Sequence, residues 1–198
     1  MLFMNDDYSQ PDFYRFNSDS IELIREIIGR SCRFSSILDL GAGCGIIGIE
    51  VANTTVPCKL VLLELQEEFF SHLLDNCKKK LSSQVQYDIV ISSFSQFDSI
   101  FKFDLIVCNP PYYLPGKGVL SKNPLRARSR SFIIDSWKIL LEKMTHLLDP
   151  KGKALIVLKE DPELLRIIRL EIDLLKLSLT KISKGKLMIL ELSRLDKK

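Results

Sequence analysis

The chain is poor in the residues that build metal centres and disulfide frameworks. It has two histidines in 198 residues, His72 and His146, and five cysteines at 32, 44, 58, 77 and 108. The cysteines are odd in number and form no Cys-x-x-Cys pair, which argues against a zinc site or a disulfide framework and for thiols kept reduced in a cytosol. Long apolar runs are missing too, since none approaches the ~20 residues that cross a bilayer. The first ten residues, "MLFMNDDYSQ", turn acidic after four and lack the basic start and long apolar middle of a secretory leader. The expectation is a cytoplasmic monomer with no metal and no membrane partner. Neither sign of charge dominates: 28 Lys plus Arg against 25 Asp plus Glu, a net charge of +3, permits an anionic partner without demanding one. There is no internal repeat and no low-complexity linker.

What is present is alternation. A composition of 46% hydrophobic and 27% charged residues is that of an ordinary globular protein, and the length suits one domain with a sizeable core. "SIELIREIIG" (20–29) has apolar residues at helical spacing and stops at Gly29. "SSILDLGAG" (35–43) is an apolar run into glycines, followed by a helix through "IIGIEVANT" and a strand "KLVLLEL" (59–65). "QEEFFSHLLDNCKKKL" (66–81) predicts an amphipathic helix with acids in its first turn and lysines in its last, as the helix dipole favours. Strands follow at 85–92 and 103–108, then a long loop and a helix over 131–148. "DPKGK" predicts a turn before a strand at 154–159, and Asp161 and Pro162 mark the start of a helix to 175. "LSLTKI" and "KLMILELS", joined by "SKGK", predict an antiparallel pair. Strands alternating with helices imply an α/β fold with a mostly parallel sheet covered on both faces.

The strand-to-helix junction "ILDLGAGCGIIG" carries Asp39, Gly41, Gly43, Gly45 and Gly48. Glycines let the backbone turn sharply and approach a ligand, although a tight structural turn uses them in the same way. The next strand ends in Glu64, 25 residues after Asp39. A carboxylate at that tip is where α/β nucleotide folds hold ribose hydroxyls, so the pair of features points to a nucleoside cofactor. A second stretch, "NPPYY" (109–113), ends the apolar run "FDLIVC". Two prolines stop the strand and stiffen the chain, and the residue before a proline is pushed into extended geometry. Asn109 is thus held as a rigid amide beside the flat faces of Tyr112 and Tyr113, suited to gripping something planar and polar.

"DLGAGCG" resembles motif I of class I S-adenosylmethionine-dependent methyltransferases, and "NPPY", about 65 residues later, resembles the [DNS]PP[YFW] motif of those that methylate amines. The resemblance runs from about Arg15 to Leu158 and implies a Rossmann-like fold with seven strands, S-adenosyl-L-methionine as cofactor, and a single domain over residues 1–198. Within it, residues 1–34 hold a further cofactor motif and one helix, and 35–198 form the catalytic core. By resemblance, Gly41, Gly43 and Gly45 border the cofactor, Asp39 anchors it near the amino-acid end, and Glu64 takes the ribose. "YRFNSDSIELI" resembles motif X, which places Asp19 and its neighbours at the methionine end; read by itself, "FNSDS" is a helix cap. The acid that related enzymes carry after the third strand is replaced by Ser92-Ser93-Phe94, leaving Ser93 a weaker contact to the adenine. A nitrogen on an aromatic ring or carbonyl is a poor nucleophile because its lone pair is delocalised. The Asn109 oxygen and the Pro110 carbonyl would bind its two hydrogens, turn the lone pair toward the methyl group, and stabilise the developing positive charge. Pro111, Tyr112 and Tyr113 would contact the planar target.

"FDLIVCNPPYY", Gly116 and "PLRARS" (124–129) together resemble the bacterial tRNA1(Val) (adenine-N6)-methyltransferase family, which implies adenine in RNA, above all tRNA, as substrate. Lys117, Lys122, Arg126, Arg128 and Arg130 lie in an acid-free stretch after the motif and could meet phosphates, or form only a solvated loop. An acid usual after "AR" is absent, with Arg130 near its place. Protein glutamine methyltransferases and other base amino-methyltransferases share the motif. The former typically carry a helical domain ahead of the core, and only about 34 residues precede the first strand here. A non-catalytic binding module is a third reading, against which the intact "NPPY" argues.

Overall fold

The central apolar runs have no polar side, so a sheet built from them must be covered on both faces. The computed structural model describes residues 7–111, 124–128 and 136–195, with backbone alone at 126, 128, 183 and 184. Its seven strands are β1 (Ser36–Leu40), β2 (Lys59–Glu64), β3 (Gln86–Ile91), β4 (Phe103–Cys108), β5 (Leu148–Lys159), β6 (Leu177–Lys184) and β7 (Leu187–Arg194). They form one sheet in the order β3-β2-β1-β4-β5-β7-β6. The first five run parallel, and β7 is antiparallel to both β5 and β6. The helices are α1 (Ser18–Ile28), α2 (Ile46–Thr55), α3 (Phe70–Lys80), α4 (Pro124–Arg128), α5 (Trp137–Leu147) and α6 (Pro162–Leu174).

Two apolar clusters fill the spaces on either side of the sheet. One takes Leu23, Ile24 and Ile27 of α1, Ile49 and Val51 of α2, and Leu73 and Cys77 of α3. The other takes Trp137, Leu140 and Met144 of α5 with Leu164, Ile168 and Ile172 of α6. These are the helical spacings of i, i+3 and i+4 seen in the sequence. Each residue feeds only one cluster because successive strand side chains point to opposite faces. Among the described residues no helix is long and apolar enough to cross a membrane.

The elements match the sequence reading except in three places. "DPKGK" lies inside β5 rather than before it: Leu148 pairs with Phe103, the register breaks, and pairing resumes at Lys153 opposite Leu105. The turn chemistry survives as a bulge, in which the Asp149 carboxylate accepts from the Lys151 N–H at 2.9 Å. The helix expected from 66 begins with a 3₁₀ turn over Glu67–Phe69. The described part of the helix expected over 131–148 is α5, capped by the Ser136 hydroxyl on the Ile139 N–H; residues 131–135 lie outside the described ones. At α6 the expected cap is present, with the Asp161 carboxylate accepting from Glu163 and Leu164 at 2.9 and 3.0 Å.

Candidate active site

Strand alternation brings three separated residues to one side of the sheet. In β1, Leu38 and Leu40 pack toward α5 and α6, which turns Asp39 toward α2. In β2, Leu60 and Leu62 belong to the α1–α3 cluster, so Glu64, two residues on, shares that face. In β4, Leu105 and Val107 belong to the same cluster, and Asn109 continues their alternation just beyond the strand end. β1 and β4 are neighbours although the chain runs out through β2 and β3 between them. That reversal opens a crevice at the carboxyl ends of the strands, the place where open α/β sheets take ligands. The pairing of Leu40 with Cys108 sets Gly41 and Asn109 at the two lips of the crevice.

The glycine loop hooks over β2, with the Gly41 and Ala42 N–H groups both 2.9 Å from the Leu63 carbonyl. Gly41, Gly43 and Gly45 all have positive φ, where a side chain would be strained. At Gly48 the need is closeness: a Cβ there would lie 2.9 Å from Leu62 Cδ2 and 3.0 Å from Asp39 Oδ2. The bare backbone instead lets the Gly48 N–H donate to Asp39 Oδ2 at 2.8 Å. Helix α2 and strand β1 are locked together by that contact.

Glu64 is 6% exposed, and both its oxygens are oriented by backbone donors. Oε2 accepts from the Gly43 N–H at 2.8 Å and Oε1 from the Gln66 N–H at 2.9 Å. An ionised carboxylate has about four acceptor sites, so this one can still take hydroxyl donors from a ligand. Burial raises its pKa, and the amides of Gln66, Gly43 and Leu65 pull it back down. Asp39 is fully buried and its Oδ1 has no hydrogen-bond partner. Burial pushes its carboxyl up to about 7, against the Gly48 amide and with help from the nearby Glu64 charge. Burial also lifts the Cys108 thiol well above its ordinary range and the Cys44 thiol up to about 12. Neither is a thiolate nucleophile near neutrality. The crevice is therefore lined by glycine backbone and acceptor oxygens, a surface for a ligand rich in hydroxyls and positive charge.

The other expected site residues are placed as follows. Asp19 is buried in the first turn of α1, where it takes part in the cap: its N–H donates to Asn17 Oδ1 and its Oδ2 accepts from Asn17 Nδ2, both at 3.1 Å. Ser93 sits just past β3, buried, its hydroxyl oxygen accepting from the Gln96 N–H at 3.2 Å and lying 3.0 Å from Ser95 Oγ. Asn109 donates from Nδ2 to Ser20 Oγ at 2.9 Å, with Pro110 buried and Pro111 half-buried after it. Tyr112, Tyr113, Lys117, Lys122 and Arg130 lie outside the described residues, as do the side chains of Arg126 and Arg128.

Sequence reasoning missed the N-terminal segment that closes over this loop. The Tyr14 ring packs edge-on against Phe69, 5.0 Å between centroids, and its hydroxyl would be 3.3 Å from a Cβ on Gly43. The segment is tied down by Asn76, which accepts from the Ser9 N–H at 2.8 Å and donates to the Ser9 carbonyl at 2.9 Å and the Cys44 carbonyl at 2.8 Å. The available signal was an amide at position 76 on the apolar face of α3, between Leu73 and Cys77.

The model of the methyltransferase small domain matches residues 20–181. A tRNA1(Val) (adenine(37)-N6)-methyltransferase from Glaesserella parasuis is 31% identical over 125 residues, 63% of this chain and 52% of that protein. A release factor glutamine methyltransferase from Fusobacterium nucleatum is 34% identical over 94 residues, 46% of this chain and 24% of that protein. The chain thus spans about half the length of the tRNA-modifying relatives it matches. An N-methyltransferase from Bradyrhizobium japonicum in complex with S-adenosyl-L-homocysteine shares the fold, with a TM-score of 0.62 at 15% identity over 90% of this chain and 87% of that one. With its family model covering most of the sequence, the chain belongs to the methyltransferase small domain family.

Proposed function

We propose that the protein is an S-adenosyl-L-methionine-dependent N-methyltransferase acting on the exocyclic amine of adenine in RNA, with tRNA as the RNA. The observation that carries this reading is the pairing of Asn109 with the glycine loop and Glu64 across one crevice. The residues present fit the cofactor. Glu64, oriented by two backbone amides, would take the ribose hydroxyls, and Gly41, Gly43 and Gly45 would leave room beside them. The orphaned Oδ1 of Asp39, with Asp19, would meet the positively charged amino-acid end. Ser93 would lie toward the adenine, with much of its hydroxyl committed to its own turn.

When bound, the cofactor supplies an electrophilic methyl group. The amine to be methylated is held by Asn109 Oδ1 and the Pro110 carbonyl, which bind its two hydrogens and turn its lone pair out of conjugation. Those oxygens gain strength as the nitrogen becomes positive, so they favour the transition state over the ground state. No general base is needed before transfer, and the surplus proton leaves to solvent afterwards. Tyr112 would stack on the base, with Pro111 and Tyr113 beside it. Lys117, Lys122, Arg126, Arg128 and Arg130 would neutralise phosphates.

The choice of adenine in tRNA is supported by the tRNA-modifying relatives and the residues after "NPPYY". The glutamine-modifying relative supports a protein substrate instead, because an amide nitrogen poses the same lone-pair problem. Total unmodified tRNA and a release factor, each incubated with labelled cofactor and analysed by mass spectrometry, separate the two. Label in N6-methyladenosine supports the RNA reading, and label on glutamine replaces it. Label in neither, with cofactor binding demonstrated, removes both.

A further inference from the structure

Asn109 performs its proposed task only if the correct end of its amide faces the target. Oxygen and nitrogen hang on one planar carbon about as far from the chain as each other, and the two ends have nearly the same shape. With the ends exchanged, N–H groups would face the amine: they accept no hydrogen bond from it and oppose the positive charge that builds on it. Pro110 fixes the backbone at this point but leaves the side-chain torsion of Asn109 unset.

The structure ties that torsion to a residue 89 positions away. Asn109 Nδ2 donates to Ser20 Oγ at 2.9 Å. Ser20 is 2% exposed, in the first turn of α1, and the helix around it is anchored by Leu23, Ile24 and Ile27, each 1% exposed or less. A hydroxyl there is a fixed point, not a mobile surface group. Holding Nδ2 on it fixes where Oδ1 lies. We propose that Ser20 is a positioning residue that sets which end of the Asn109 amide meets the substrate. The proposal rests on the reading of Asn109 as the amine acceptor. It also gives α1 a task in the chemistry, since the helix carries the residue that orients the strand-end amide.

The test uses Ser20→Ala in two backgrounds, wild type and Asn109→Asp. A carboxylate has two acceptor ends, so turning it over changes nothing, and the need for an orienting hydroxyl disappears. In the wild-type background Ser20→Ala should slow single-turnover methyl transfer about three- to tenfold, the weight of one net hydrogen bond on a two-state population. Cofactor affinity by calorimetry should stay within twofold. In the Asn109→Asp background, whatever its own rate, Ser20→Ala should change the rate less than twofold. A structural role for Ser20 predicts equal losses in both backgrounds, and that outcome overturns the proposal.

A second readout needs no substrate. The Asn109 side-chain amide protons, identified in ¹⁵N spectra by their loss in Asn109→Asp, should exchange with solvent several-fold faster in Ser20→Ala. Unchanged exchange means that Ser20 does not hold the amide, and the proposal falls. If Asn109→Ala transfers methyl groups as fast as wild type, the reading of Asn109 itself has failed. If Asn109→Ala is slow while Ser20→Ala is fast, only the role of Ser20 has failed.

Discussion

Replacing Asp39 by asparagine should stabilise the ligand-free protein above neutral pH and weaken its hold on the cofactor. In the folded state this carboxyl is fully buried, takes one N–H from Gly48, and has its other oxygen unpaired. Burial pushes its pKa up to about 7, whereas an unfolded chain leaves an aspartate near about 3.9. The folded state therefore binds the proton more tightly. The stability linked to that proton is fully present below about pH 4 and is lost as pH rises through about 7. A pKa gap of about 3 corresponds to ~4 kcal/mol between those limits, at 1.36 kcal/mol for each pH unit. Asparagine keeps the acceptor for Gly48 and does not ionise. Between pH 5.5 and 8 the unfolding free energy of Asp39→Asn, minus that of wild type, should rise by about 2 kcal/mol. The measurement is urea unfolding of both proteins without cofactor across that range, and taking the difference cancels groups common to both. Calorimetry at pH 8 should show the opposite sign for S-adenosyl-L-methionine, whose positive charge loses an anionic partner. A stability difference flat in pH would refute the reasoning, because it would mean that Asp39 holds its proton no more tightly folded than unfolded.

The fold was legible because its signals are short-range. Alternation of apolar runs with amphipathic helices, the Asp161–Pro162 helix start and the "SKGK" hairpin depend on a few adjacent residues, and each is found where expected. The "DPKGK" stretch was misplaced for an instructive reason. Its Asx turn is real, but pairing of Leu148 with Phe103 extends the strand beyond it, and pairing partners far apart in sequence leave no local trace. The site divides in the same way. Asp39, Glu64 and Asn109 sit at strand ends, so counting residues by two along each strand places them on one face. Ser20 and Asn76 act through contacts made by folding, across 89 and 67 positions. Nothing beside Ser20 in the sequence names Asn109. The burial of Asn76 within the apolar stripe of α3 hinted at a structural bond without naming the Ser9 and Cys44 backbones as its partners.

Further tests probe the crevice one wall at a time. Glu64→Ala removes the acceptors meant for two ribose hydroxyls, each charge-assisted bond being worth roughly 1.5–3 kcal/mol at best, and calorimetry showing unchanged cofactor affinity would take Glu64 away from the ribose. Gly48→Ala should cost about 1–3 kcal/mol in urea unfolding, because its Cβ would press on Leu62 and Asp39; a neutral result would mean that α2 can lift off β1 freely. Replacing Arg126 and Arg128 together with alanine should raise KM for RNA and flatten its salt dependence while cofactor affinity stays unchanged, and an unaltered salt slope would make that stretch a solvated loop. Asn109→Ala separates binding from chemistry. It leaves Glu64 and the glycine loop intact, so the cofactor should still bind, but one of the two proposed acceptors for the target amine is gone. The lost interaction is strongest when the nitrogen is most positive, so the penalty should fall on the single-turnover rate more than on KM. Removal of one preorganised dipole from such a site typically costs on the order of 10²–10³ in rate, about 3–4 kcal/mol. A single-turnover rate within a few fold of wild type would mean that the strand-end amide does not hold the reacting nitrogen.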